Sequence, residues 1–110
     1  MESLNILIVE SSSEDVARIQ RVLGEGGVCF DCLCISTTTE LHKALADKYW
    51  DVILSSYSLS GFSAKEVLSV LATYHLEIPF IVLSSHVGEE AAGDLMDMGA
   101  CDFVMKANMA

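Results

Sequence analysis

Five short apolar runs, separated by four stretches of helical periodicity, constrain this chain more than any other feature. The runs are Ile6-Leu7-Ile8-Val9, Val28 to Ile35, Val52-Ile53-Leu54, Phe80-Ile81-Val82-Leu83 and Phe103-Val104-Met105. The first, third and fourth contain no polar alternation, the pattern of parallel strands covered on both faces, whereas the second admits Asp31 and reads as an edge. Between them Val16, Ile19 and Leu23 recur at helical spacing, as do Leu41, Ala44, Leu45 and Tyr49, then Val67, Leu71 and Tyr74, and then Ala92, Leu95 and Met96. Each of these segments offers one apolar face to a sheet. Ser11/Glu14, Thr37/Glu40 and Ser63/Glu66 each place a hydroxyl three residues ahead of a glutamate, giving three candidate capping boxes in one strand-helix register.

This alternation predicts an α/β fold, a doubly wound open parallel five-stranded sheet with helices on both faces. No repeat or linker composition interrupts residues 1–110, which read as one domain. Only four residues follow Lys106, so a helix after the fifth strand is expected to be missing. The apolar patch left bare is expected to be covered by a second copy of the chain, as a homodimer, or by further polypeptide of a longer parent protein.

Charge narrows the function. Six Lys+Arg against sixteen Asp+Glu give a net charge of -10. That balance repels phosphate backbones and removes the counterion release that drives most nucleic-acid affinity, so neither nucleic acid nor an anionic membrane is an expected partner. No stretch approaches the ~18 consecutive apolar residues of a membrane span, and Glu2 stands where a signal peptide would be basic. A cytoplasmic location is the expectation. Cys29, Cys32, Cys34 and Cys101 then read as buried thiols acting as small hydrophobes. Cys29-Phe-Asp-Cys32 is formally a C-x-x-C, but it lies in a strand rather than at a helix N-terminus. Strand alternation puts Cys29 and Cys32 on opposite faces and Cys32 and Cys34 on the same face, so a four-ligand zinc cage is not expected. His42, His75 and His86 show no ligand spacing and read as surface or helix-end residues. Gly88 and Gly93 lack the lysine of a phosphate-binding loop, and no G-x-S-x-G occurs. Met96, Met98 and Met105 read as ordinary packing residues or as lining of the bare patch.

In open α/β sheets ligands bind at the carboxyl ends of the strands. Here those ends carry Glu10 and Ser11, Ser36 and Thr37, Ser55 and Ser56, Ser84 and Ser85, and Lys106. Ile6-Leu-Ile-Val-Glu-Ser, Asp51-Val-Ile-Leu-Ser-Ser-Tyr-Ser-Leu-Ser-Gly-Phe-Ser, Ile78-Pro-Phe-Ile-Val-Leu-Ser-Ser and Gly99-Ala-Cys-Asp-Phe-Val-Met-Lys together resemble CheY-like receiver domains of two-component response regulators. The resemblance covers the whole chain except the last helix. It implies a flavodoxin-like sheet of order 2-1-3-4-5, Mg²⁺ as cofactor, a histidine kinase as partner, and a phosphoryl group received on an aspartate.

Carried over by position, Glu10 and Ser11 stand at the acidic pair and Ser56 at the phosphoacceptor. Ser84 stands at the switch hydroxyl, Phe103 at the switch aromatic and Lys106 at the lysine that pairs with the phosphoryl oxygens. Ser60 and Ala107 replace two prolines of the pattern. The site is thus degenerate at the phosphoacceptor. A serine hydroxyl is a weak nucleophile without an adjacent base, and Glu10 alone is a poor holder of Mg²⁺, which is expected not to bind. The expectation is a bacterial pseudo-receiver that is not an enzyme, with Lys106 paired to Glu10 or the serines and its fourth helix, Phe103 and fifth strand serving as the signalling face. The alternative is an active phosphoacceptor using Ser56 or a nearby hydroxyl.

Overall fold

The computed structural model describes residues 3–27, 29–59, 62–84 and 89–105. Its elements run β1 (Leu4–Val9), α1 (Ser13–Glu25), β2 (Phe30–Ile35), α2 (Thr38–Asp47), β3 (Val52–Ser56), β4 (Ser58–Leu59), β5 (Phe62–Ser63), α3 (Ala64–Thr73), β6 (Phe80–Ser84), α4 (Glu89–Asp97) and β7 (Asp102–Met105). Every pairing in the main sheet is parallel, and its order is β2-β1-β3-β6-β7. Counting only these five strands, that is the expected 2-1-3-4-5. β2, the strand interrupted by Asp31, lies at an edge. Ile6 to Val9 are fully buried in β1, as an unbroken apolar run covered on both faces should be.

Alternate strand residues feed two separate cores. Leu7, Val9, Ile53, Phe80 and Val82 pack with Leu41 and Ala44 of α2, Val67 and Leu71 of α3, and Leu95 of α4. On the opposite face Ile6, Ile8, Leu54 and Leu83 pack with Ile19 of α1, flanked by Val16 and Leu23. Among the described residues α1 is the only helix on this second face, and Val52, Ile81 and Val104 are half-buried there. Those three mark where the expected bare patch would lie.

The helix starts match two of the three capping expectations in position. Thr37 caps α2, accepting from the Glu40 N–H at 3.1 Å, while Glu40 Oε1 accepts from the Ser36 N–H and the Thr37 hydroxyl, both at 3.1 Å. The Ser36 N–H, and then the Thr37 hydroxyl, hold the Glu40 carboxyl below the usual range. Ser63 caps α3 by position but without a side-chain bond. The first box is displaced by one residue: Ser12, not Ser11, caps α1, with its Oγ accepting from the Asp15 N–H at 3.3 Å. The Ser11 N–H is instead turned toward Glu10.

Some of the expected packing does not occur. α2 ends at Asp47, so Tyr49 leaves the helical register and is 67% exposed. Trp50, which no periodicity marks, takes the buried position. Tyr74 is also exposed, and its hydroxyl meets Nδ1 of His42 at 2.7 Å. Met96 and Met98 are exposed rather than packed. The four thiols are not buried either: Cys29 and Cys101 are exposed, and Cys32 and Cys34 half-buried. The first two sit in the turns entering β2 and β7, and the other two on an edge strand covered by one helix, so a small apolar side chain there is not forced inward.

α3 and α4 end in the same way. The Leu76 N–H reaches the Leu71 carbonyl at 2.9 Å and the His75 N–H the Ala72 carbonyl at 3.1 Å; the Ala100 and Gly99 N–H groups repeat this on Leu95 and Met96. These are Schellman ends, in which the penultimate position takes positive φ. Gly99 meets that demand at φ 115°, but α3 places His75 there at φ 55°. A side chain at positive φ costs about 1 kcal/mol relative to glycine. His75→Gly is therefore expected to raise stability in urea by up to about 1 kcal/mol, and an unchanged or lower midpoint would count against the assigned strain.

Candidate functional site

Strand register assembles the site. Val9 of β1 lies beside Ser55 of β3, so the next residues, Glu10 and Ser56, emerge level with each other at the carboxyl edge. Ser56 pairs with Leu83 of β6, which sets Ser84 one step further along, and Ser84 pairs with Met105 of β7. Glu10, Ser56 and Ser84, three of the six expected site residues, are thus brought to one edge on three adjacent strands. All three are buried, at 6%, 4% and 4% exposure. Ser11 is exposed at the mouth of α1. Phe103 of β7 is in register with Val82 of β6. Lys106 lies outside the described residues, as do the Phe103 side chain, Ser60, Ala107 and Ser85.

Glu10 is anchored on both sides. Its backbone N–H donates to the Ile35 carbonyl at 2.9 Å, continuing the β1–β2 ladder past the last strand residue. Its Oε1 accepts from the N–H groups of Ser11 at 2.9 Å and Ser12 at 3.1 Å. The carboxylate is therefore turned back on the entrance to α1, where backbone N–H groups and the helix dipole favour negative charge. The two serines of β3 differ in setting. Ser55 is fully buried and its Oγ donates to the Ser56 carbonyl at 3.0 Å. Among the described residues no buried side-chain nitrogen or oxygen lacks a partner, so the polar interior of this edge is satisfied as it stands.

The donor set fits Mg²⁺ poorly. That ion demands near-ideal octahedral oxygens and is usually held through one or two carboxylates and phosphate oxygens. Among the described residues one carboxylate, Glu10, is brought to this edge; one of its oxygens already receives two N–H groups, and its neighbours at Ser11 and Ser56 are neutral hydroxyls. No group of three or more His, Cys, Asp and Glu side chains gathers for a metal among the described residues.

A feature the apolar runs do not reveal lies immediately after Ser56. Tyr57 donates its N–H to the Leu83 carbonyl at 2.8 Å and accepts at its own carbonyl from the Ala64 N–H at 3.1 Å. The segment between those two bonds pairs Ser58 with Ser63 and Leu59 with Phe62 as a two-residue antiparallel ladder. Its only signal in the sequence is Gly61 between short hydroxyl-rich segments. Among the described residues no helix is long and apolar enough to cross a membrane.

Comparison with known proteins agrees with this architecture. No protein-family model matches the chain. The DNA-binding transcriptional regulator NtrC of Escherichia coli K12 is 27% identical over 101 residues, which are 92% of this chain. NtrC of Klebsiella pneumoniae is 27% identical over 99 residues, 90% of this chain. The chain spans about a fifth of the length of these curated relatives, 21% in both cases. Among solved structures, the phosphorylated cyanobacterial phytochrome response regulator RcpA superposes with a TM-score of 0.84 at 24% identity, covering 98% of this chain and 84% of that one. The receiver domain of Francisella response regulator 1452 gives 0.82 at 18% identity, covering 96% and 85%. In fold the chain matches these response-regulator structures, and in sequence it is similar to NtrC over most of its own length.

Proposed function

We propose that residues 1–110 act as a pseudo-receiver, a receiver domain of a two-component signalling protein that does not take up a phosphoryl group and works by protein–protein contact. One observation carries this reading: the position level with Glu10 at the end of β3 holds the hydroxyl of Ser56 instead of a carboxylate. A hydroxyl at its ordinary pKa needs a base beside it to attack phosphorus. The nearest carboxylate along the edge, Glu10, is committed to two backbone N–H groups. Without a second acid at Ser11, Mg²⁺ has little to hold it, and charge developing on a transferred group would be met by Lys106 alone.

In this role Ser84, Phe103 and Lys106 keep the positions of the switch hydroxyl, switch aromatic and phosphate-pairing lysine, and the site rests in one state. Receiver domains in general signal rather than catalyse, and this one is read as no enzyme. Its partners are a histidine kinase or other signalling domains, met through α4, Phe103 and β7 in the cytoplasm. The net charge of -10 argues against direct contact with nucleic acid or an anionic membrane. The half-buried Val52, Ile81 and Val104 would be covered by a second copy or by more of a parent protein.

Incubation with acetyl phosphate or phosphoramidate in Mg²⁺, followed by intact-mass measurement, tests the proposal. No phosphoryl adduct is expected. An adduct that disappears in Ser56→Ala would establish the chain as an active phosphoacceptor instead.

A further inference from the structure

Cys32 and Cys34 project from the edge strand β2 to the same face, level with Ile6 and Ile8 of β1, and both pack beside α1. Two residues apart on one strand, their Cα atoms stand about 6.6 Å from each other on that face. From α1, the Gln20 side-chain amide donates to Cys32 Sγ at 3.2 Å. We propose that Cys32 and Cys34 form a two-coordinate site for a soft monovalent ion of the Cu(I) class, with Gln20 as a positioning residue for the Cys32 sulfur.

Three physical facts support this assignment. Same-face neighbours on one strand can turn their sulfurs onto one soft ion by side-chain rotation, and thiolates select Cu(I) over hard cations. Zinc needs four ligands, and no third His, Cys, Asp or Glu joins the pair among the described residues. A thiol sulfur is a weak acceptor, whereas a metal-bound thiolate carries charge, so an amide N–H aimed at Cys32 Sγ suits the bound form better. Burial, with Cys32 adding to it, pushes the Cys34 thiol up to about 11, so near neutral pH that thiol is protonated until an ion displaces the proton. On binding, two S–H bonds break, two S–Cu bonds form and two protons pass to solvent. Copper stays in the +1 state and the bis-thiolate complex carries one negative charge. The net charge of -10 draws cations toward the chain, and the pair's place on an edge strand leaves an approach for them.

The reduced chain, titrated without oxygen against the Cu(I)–bicinchoninate complex, is expected to withdraw one equivalent of Cu(I), seen as loss of the chelate colour and as one copper in the native mass. Cys32→Ser and Cys34→Ser should each abolish the transfer, while Cys29→Ser and Cys101→Ser leave it intact. Gln20→Leu, which keeps both thiols, should weaken retention about tenfold. X-ray absorption of the wild-type copper form, which depends on no variant, should show two sulfur neighbours. Failure of the wild-type chain to withdraw copper, retention by Cys32→Ser, transfer that follows Cys29 or Cys101, or nitrogen and oxygen neighbours at the metal would each overturn the assignment.

Discussion

Replacing Ser11 and Ser56 together by aspartate should make this chain accept a phosphoryl group from acetyl phosphate in Mg²⁺, where the natural chain is expected to accept none. The expectation rests on the register that sets Glu10 and Ser56 level at the ends of β1 and β3. On the pseudo-receiver reading, what this edge lacks is negative charge at positions 11 and 56. An aspartate at 56 supplies a nucleophile already ionised at neutral pH. A second one at 11 joins Glu10 in offering carboxylate oxygens to the divalent ion that this chemistry requires. Ser56→Asp alone should label slowly, and the double variant on the order of a hundredfold faster, the scale of one electrostatic contribution to such a transition state. The readout is intact mass against time, with loss of the adduct in hydroxylamine identifying an acyl phosphate. A folded double variant that gains no mass would mean that the edge is not a disabled phosphoacceptor site, and the pseudo-receiver reading would fall with it.

Trp50→Ala is expected to destabilise the chain by about 3–5 kcal/mol, the range for deleting a large buried aromatic. Typical domains hold only about 5–15 kcal/mol in total. Trp50 is 1% exposed and heads the fully buried side chains by volume. Its Nε1 donates to the Ala44 carbonyl at 2.9 Å, and Lys48 Nζ sits 4.9 Å from the ring centroid. One side chain therefore ties the end of α2 to the entrance of β3. Trp50→Phe should recover most of the loss and retain a deficit of about 1–2 kcal/mol, because the Ala44 carbonyl loses its donor. Trp50 is the only tryptophan, so far-UV circular dichroism in urea is the suitable probe. A loss below about 1 kcal/mol for Trp50→Ala would contradict the assigned role.

The edge position of β2 was legible because the apolar runs differ in kind, whereas the strand order came from the family resemblance. Ile6 to Val9 has no polar residue and lies in the interior of the sheet, whereas Asp31 marks β2 as an edge. The gathering of Glu10, Ser56 and Ser84 followed from the same pattern, since parallel strands bring their carboxyl ends together. Three features escaped it. The cap of α1 moved from Ser11 to Ser12 because three consecutive serines offer the same hydroxyl and only the backbone path selects one. Trp50 lies in the connection between α2 and β3, where periodicity has nothing to say about burial. The cysteines look apolar by composition, but their exposure depends on how many helices cover β2 and on the turns at 29 and 101.

Tyr57 contributes one peptide unit to two neighbours: its N–H is held by β6 and its carbonyl by the first residue of α3. The residue before it, Ser56, therefore cannot be displaced along the sheet without pulling a strand and a helix in concert. Any force applied at that hydroxyl, whether by a binding partner or by an engineered acid, is divided at once between two elements whose far ends lie on the opposite rim. The connection that would carry a message away from Ser56 is thus held in backbone bonds, whatever side chain stands at that position.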